Sequence, residues 1–216
     1  MKSPAFAVCV AVLLGYLAGS LPWGLWLGRW FRGIDVREHG SKNLGATNVY
    51  RVLGPPLGIA TLLLDVLKGA LPVWLVPAMA EMDVFPGGAE WCAVTVGLAA
   101  VLGHVFSMFT DFRGGKGVAT TVGVLLALAP AAFGVFVLVF VAVVAWTRYV
   151  SLGSTLGAVA FCLTLLFATP EGVRSPRFLL GVLLALLVVL RHRENYRRLA
   201  RGEERRFTLK RGDATS

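Results

Sequence analysis

Residues 118–147 read "VATTVGVLLALAPAAFGVFVLVFVAVVAWT", an apolar run without one charged residue. A single membrane-spanning helix takes about 17 to 25 residues, so this run is too long for one crossing and short for two. Pro130 lies inside it among Ala129, Ala131 and Ala132. A proline within a helix removes a backbone hydrogen bond and crowds the preceding turn. The run therefore reads as two short spans of about 12 and 17 residues meeting at Pro130, the first either shielded by other helices or partly re-entrant. The number of crossings in the whole chain turns on this break.

Around it, 216 residues are 56% hydrophobic and only 15% charged, with a mean hydropathy of +0.73. That is far more apolar than a water-soluble domain of this length. Further apolar runs occupy 5–31, 56–80, 91–109, 149–169 and 177–190. The first is long enough to span and does not end in a small-residue cleavage site, so it reads as a retained span and not a signal peptide. If 118–147 crossed once there would be six crossings, and charge would then contradict parity. Residues 81–90 carry Glu81, Asp83 and Glu90 and no Lys or Arg. The segments on either side hold Arg32, Arg37, Lys42 and Arg51, then Arg113 and Lys116, and the tail 191–211 holds nine basic residues. Lys and Arg mark cytoplasmic loops, and only seven crossings from an outside N-terminus place all three basic segments there. The expected fold is an all-α integral membrane protein of seven transmembrane helices, N-terminus outside and C-terminus cytoplasmic. It forms one domain over 1–216, of which 191–216 is a basic cytoplasmic tail.

On that topology the unusual polar stretches fall on the cytoplasmic side. They are "DVREHGSKNLGATNVYR" at 35–51, "GHVFSMFTDFRGGKG" at 103–117, "RYVSLGS" at 148–154 and "RHRENYRRLARGEE" at 191–204. Together they bring Ser, Thr, Asn, His, Arg and Lys close to hydrocarbon, which suits an anionic, lipid-linked substrate and puts the active site on the cytoplasmic side. The run "GGKG" at 114–117 opens a helix, where free N–H groups and the helix dipole hold anions. It is no nucleotide loop, because Gly117 follows Lys116 where a Ser or Thr would bind magnesium, and no strand precedes it. Lys116 opposes the helix dipole unless an anion offsets it.

Simpler readings stand beside these. The net charge of +9 fits cytoplasmic loops facing anionic headgroups, and no aromatic-interleaved basic module points to nucleic acid. Cys9, Cys92 and Cys162 show no ligand or CxxC spacing, so neither a disulfide framework nor a metal site is expected, and they read as buried small hydrophobes. Arg191, Arg193, Arg197 and Arg198 read for the most part as a positive-inside anchor, and Gly40, Gly45, Gly114, Gly115 and Gly117 equally as turn or packing glycines. His104 and His192 read as helix-end hydrogen-bonders. Asp65 and Lys68, at i and i+3 within the second span, cost roughly 2.5 to 3.5 kcal/mol each on insertion scales unless paired. They read first as a structural pair and second as support for the loop residues. A phospholipid or organophosphate transporter would need polar groups on both sides of the midplane, which the outer linkers lack. A mere membrane anchor would leave the glycine loop without a purpose.

Several motifs occur in order along nearly the whole chain: "GSLPWG" at 19–24, "GSKNLGATN" at 40–48 with Arg51, "DVLKG" at 65–69, "GHVF" at 103–106 leading to "GGKGVAT", "SLGS" at 151–154, and "RHREN" at 191–195 with "RL" at 198–199 and "GEE" at 202–204. This pattern resembles the bacterial membrane glycerol-3-phosphate acyltransferases that use acyl phosphate as donor. Ser107, Arg113 and Tyr196 depart from the pattern, standing where Pro, Lys and Ile are usual. The resemblance implies a seven-span fold in the bacterial inner membrane, and transfer of a fatty acyl group from acyl phosphate to the 1-hydroxyl of sn-glycerol 3-phosphate. No metal, cofactor or nucleic acid is implied, and a monomer would suffice. Carried over by motif, the catalytic residues are Ser41, Arg51, Lys116, His192 and Asn195. The substrate-binding set is Gly40, Asn43, Gly45, Thr47, Asn48, Gly114, Gly115, Gly117 and Ser154. His192, among arginines, is expected to donate to phosphate more than to act as a base.

Overall fold

The computed structural model describes residues 4–76 and 88–208. Among them the regular structure is all helical, without a strand. The helices are α1 (Pro4–Ser20), α2 (Trp23–Arg32), α3 (Ala46–Leu53), α4 (Pro55–Trp74), α5 (Gly88–Val105), α6 (Val118–Leu128), α7 (Pro130–Thr147), α8 (Val150–Ala168), α9 (Pro176–Arg191) and α10 (Arg193–Ala200). Five stretches are long and apolar enough to cross a membrane, Phe6–Arg32, Pro55–Trp74, Gly88–Thr110, Pro130–Thr147 and Val150–Ala168, and Val118–Leu128 is a shorter apolar helix.

The break at Pro130 is present: α6 ends at Leu128, Ala129 leaves helical geometry, and Pro130 opens α7 at a position where its missing N–H costs nothing. A second break was hidden in the sequence. The apolar run 5–31, expected as one span, stops at Ser20 and resumes at Trp23, because Pro22 cannot donate to the preceding turn. The carbonyls freed there must find donors away from water. Lys68 Nζ donates to Leu21 O at 2.7 Å and Ser107 Oγ to Ser20 O at 2.5 Å. Ser107, where the family pattern has proline, also accepts from Phe109 N and so caps the turn at 108–110.

Helix α1 packs on α5, α4 on α6 and α7 on α8. Backbones of α4 and α6 nearly touch: a Cβ on Gly69 would overlap Thr120 O, and one on Gly123 would overlap Val66 O. Within a membrane, where apolar side chains gain little by leaving lipid, such close approach is what holds helices together. The main core gathers Val73, Val101, Val105, Val124, Phe136, Phe161 and Leu184 from α4 to α9. A smaller one, Leu25, Val36, Leu44, Val49 and Leu53, seats the loop after α2 and helix α3. Only Cys92 of the cysteines is fully buried; Cys162 is half-buried, and Cys9 is exposed on α1, contrary to the expectation for it. At the end away from the polar loops, Arg177 pairs with Glu90 at 2.9 Å.

Candidate active site

The first polar loop is built around two side chains. Asp35 accepts the backbone N–H of Arg37 at 2.9 Å, its Nη2 at 2.7 Å and Arg29 Nη2 at 2.9 Å. The Arg37 hydrogen bonds hold the Asp35 carboxyl well below the usual carboxylate range, against an opposing effect of burial. Asn48 is almost wholly buried. It donates to the carbonyls of Val36, His39 and Asn43 and accepts the N–H of Ser41 at 2.7 Å. Asn43 Oδ1 takes the N–H of Gly45, which starts α3. Arg51, one turn beyond Asn48 on the short α3, is thereby set at the loop's edge.

The glycine loop is pinned from below and from the side. Gly114 N–H donates to Val105 O and Gly115 N–H to His104 O, both at 3.1 Å. A Cβ on Gly114 would strike His104 O and one on Gly115 the His104 ring, so only glycine allows this seating. Arg191, at the end of α9, donates to Gly115 O at 2.9 Å. Lys116 then reaches Asn195 Oδ1 on α10.

At the α9–α10 corner His192 is buried, with Nδ1 2.8 Å from Val188 O. A carbonyl only accepts, so Nδ1 carries the proton and Nε2 of the neutral ring is an acceptor. The chain then doubles back after α10. Asn195 Nδ2 donates to Glu204 Oε1 at 2.5 Å and Arg198 Nε to Glu204 Oε2 at 2.8 Å. Phe207 N–H donates to Arg148 O at 2.7 Å, and the Phe207 ring lies against Tyr50, 5.5 Å between centroids. Tyr196 meets Thr155 of α8 through their hydroxyls.

Cations outnumber the carboxylate here. Burial pushes the Lys116 ammonium down to about 8; Arg198, Arg191 and Arg51 add to that and Glu204 opposes it. Burial lowers Arg51 as well, followed by Arg205, with Glu204 again opposing. Arg51 makes no ion pair or hydrogen bond among the described residues. Burial, then Lys116, brings His192 down to about 4, so the imidazole is neutral at pH 7. Four buried or half-buried cations around one carboxylate are short of negative charge. An excess of positive charge of this kind favours the approach of a further anion.

A model of the family described as "Glycerol-3-phosphate acyltransferase" matches residues 9–202. The chain belongs to this family. Among curated relatives, a "Glycerol-3-phosphate acyltransferase" of Myxococcus xanthus is 51% identical over 91% of this chain and 97% of its own. Another, of Geobacter sulfurreducens, is 45% identical over 92% and 96%. The crystal structure of PlsY (YgiH), an integral membrane glycerol 3-phosphate acyltransferase, in its glycerol 3-phosphate form superposes with a TM-score of 0.84 at 37% identity, over 93% of this chain and 96% of that one. Its lysophosphatidic acid form gives 0.81 at 36%, over 94% and 96%. The protein is thus a multi-pass integral membrane member of an acyltransferase family.

For this acyltransferase the residues expected from the motifs divide into groups. Arg51, Lys116, His192 and Asn195 come together from three separate segments. Ser41 is exposed on the first polar loop, its N–H held by Asn48 and its hydroxyl unengaged among the described residues. Asn43 and Asn48 spend their side chains on the loop itself, and Gly40 and Gly45 shape it, so these four position Ser41 and Arg51. Thr47 is half-buried. Gly114 and Gly115 fit against His104, and Gly117 precedes α6. Ser154 is buried and donates to Val150 O inside α8; no contact joins it to the cluster among the described residues. Arg191, Arg198 and Glu204 were not expected as members. Glu204, four positions past the end of α10, lies in the "GEE" at 202–204, a motif that gave it no role. Asn48→Ala is expected to destabilise the protein by about 1–3 kcal/mol, since it strands the Ser41 N–H and three loop carbonyls. A thermal-unfolding midpoint unchanged in detergent would contradict that.

Proposed function

We propose that the protein transfers a fatty acyl group from acyl phosphate to the 1-hydroxyl of sn-glycerol 3-phosphate, giving 1-acyl-sn-glycerol 3-phosphate and inorganic phosphate. The observation that carries this is the group Arg51, Lys116, Arg191 and Arg198 around Glu204, with cations to spare, at the end of an apolar helix bundle. Both substrates bring a phosphate, and one brings a lipid chain. Acyl phosphate is a mixed anhydride, so the hydroxyl oxygen attacks the acyl carbon directly, the carbon–oxygen bond to phosphate breaks, and the departing phosphate takes the hydroxyl proton. The protein's work is to hold two anions together and aim a hydroxyl at a carbonyl. Arg51 grips phosphate as a fork and Lys116 as a point charge. Ser41 supplies a neutral hydroxyl donor, while the N–H groups of Gly114 and Gly115 are already spent on Val105 O and His104 O and serve to place Lys116.

Purified protein in detergent is expected to release phosphate only when both acyl phosphate and glycerol 3-phosphate are present. Release that ignores glycerol 3-phosphate, or transfer from acyl-coenzyme A in place of acyl phosphate, would overturn this donor assignment.

The same reading places the protein in a bacterial inner membrane with seven crossings, made by α1, α4, α5, α6, α7, α8 and α9. It is supported by the contacts of Lys116 with Asn195 and of Arg148 with Phe207, which put both ends of the 118–147 pair beside the tail. Single cysteines at Ala89 and Thr208, with Cys9, Cys92 and Cys162 replaced, are expected to label from opposite sides of the membrane, Ala89 from outside. Labelling of both from one side would mean an even number of crossings between them.

A further inference from the structure

Within the apolar bundle a charged group lies directly beneath the glycine loop. Asp65 and Lys68 of α4 are both buried, with 2.7 Å between Lys68 Nζ and Asp65 Oδ1. The pair is close but out of line, and among the described residues Asp65 Oδ1 is left without a hydrogen bond. His104 Nδ1 lies 3.8 Å from that same oxygen, and the His104 ring also lies against the Cα of Gly115. Asp65, Lys68 and His104 line a small cavity together with Ser20, Ser107 and Gly115. His104 is thus the floor of the loop on one side and the neighbour of a buried carboxylate on the other.

Charges in a span are costly, and a buried ion pair contributes little net stability compared with apolar residues of the same size. Lys68 does close the break at Pro22 through Leu21 O. That accounts for a donor at position 68, but it does not account for a carboxylate facing an imidazole under Gly115. We propose that Asp65 and His104 are positioning residues: the buried carboxylate fixes the imidazole, and the imidazole fixes the height and tilt of Gly115 and hence where Lys116 stands relative to Asn195. The kinetic part of this inference rests on the acyltransferase reading; the placement of Lys116 does not.

Two variants test it, His104→Leu and the double variant Asp65→Asn with Lys68→Met, which removes both charges at once. In folded protein, the rate at which an amine-reactive reagent modifies Lys116, read by peptide mass spectrometry, is expected to change at least about threefold, while that of exposed Lys42 stays constant. In the transfer assay each variant is expected to lower kcat/KM about tenfold, but by less than about twofold when added to Lys116→Arg, because residues acting through one another are not additive. Unchanged Lys116 modification in a folded variant, or additive losses with Lys116→Arg, would overturn the proposal and leave the group a structural one. If His104→Leu does not fold, the double variant decides alone. A wild-type protein without transfer activity would overturn the acyltransferase reading, and the modification rates would still decide the positioning claim.

Discussion

Lys116→Ala is expected to lower turnover by about 10²- to 10³-fold, and Arg51→Ala by a similar factor, the range typical of losing one preorganised anion-stabilising donor. Lys116 is held before substrate arrives by Asn195 and by a glycine loop that Arg191 clamps, and the backbone that carries Arg51 is set by a loop that Asn48 ties shut. Lys116 then needs little reorganisation when charge develops on the departing phosphate, and the Arg51 guanidinium has no internal hydrogen bond to give up among the described residues. The Lys116 ammonium, pushed down to about 8 by burial first, is an anion receptor only while protonated. kcat/KM for glycerol 3-phosphate, which reports the free enzyme, is therefore expected to fall as pH rises through about 8. In Lys116→Ala that limb should be absent from the residual activity. Turnover near that of the wild type in folded Lys116→Ala and Arg51→Ala would remove the paired-cation mechanism.

The break at Pro130 was legible because proline sits in a run whose length already needed explaining. The break at Pro22 was not, since Trp23–Arg32 is apolar enough to extend the first run to 31, and its separation shows only in the carbonyls that Lys68 and Ser107 satisfy. Sequence spacing showed Asp65 and Lys68 to be a pair at i and i+3, but a helix pattern says nothing about what another helix places opposite. His104 is such a partner. In the site, a motif does not tell which side chains the fold itself has already engaged. Asn48 looks like a substrate ligand in a motif, yet three carbonyls and one N–H consume its amide. Ser154 looks like a free hydroxyl, yet a serine four residues from a helical carbonyl bonds back to it. Glu204 lies in the quoted "GEE", but nothing in the sequence pairs it with Asn195 and Arg198, and the basic residues around it are what make a buried carboxylate tolerable there.

His192→Ala is expected to lose about 10²-fold or more in turnover, whereas His192→Gln should retain activity within about tenfold of the wild type. The resting geometry decides between the roles open to this ring. Its Nδ1 proton is committed to Val188 O, and burial first, then Lys116, holds the ring near a pKa of about 4. The neutral Nε2 is therefore an acceptor in the free protein, and donation to a bound phosphate would first require a proton from that phosphate. An imidazole so weakly basic is poorly matched to taking a proton at pH 7. It is well suited to accepting a hydrogen bond from the glycerol hydroxyl, turning an oxygen lone pair toward the acyl carbon while the proton passes to the leaving phosphate. A glutamine carbonyl can accept that same hydrogen bond; alanine cannot. The His192 charge state should leave the pH profile flat from pH 5 upward, so any acidic limb there belongs to the substrate phosphate, whose second ionisation lies near about 6. The wild type and His192→Gln are then expected to share that limb. A limb between pH 5 and 7 in the wild type that vanishes in a nearly inactive His192→Gln would show instead that the ring titrates during the reaction and serves as its general base.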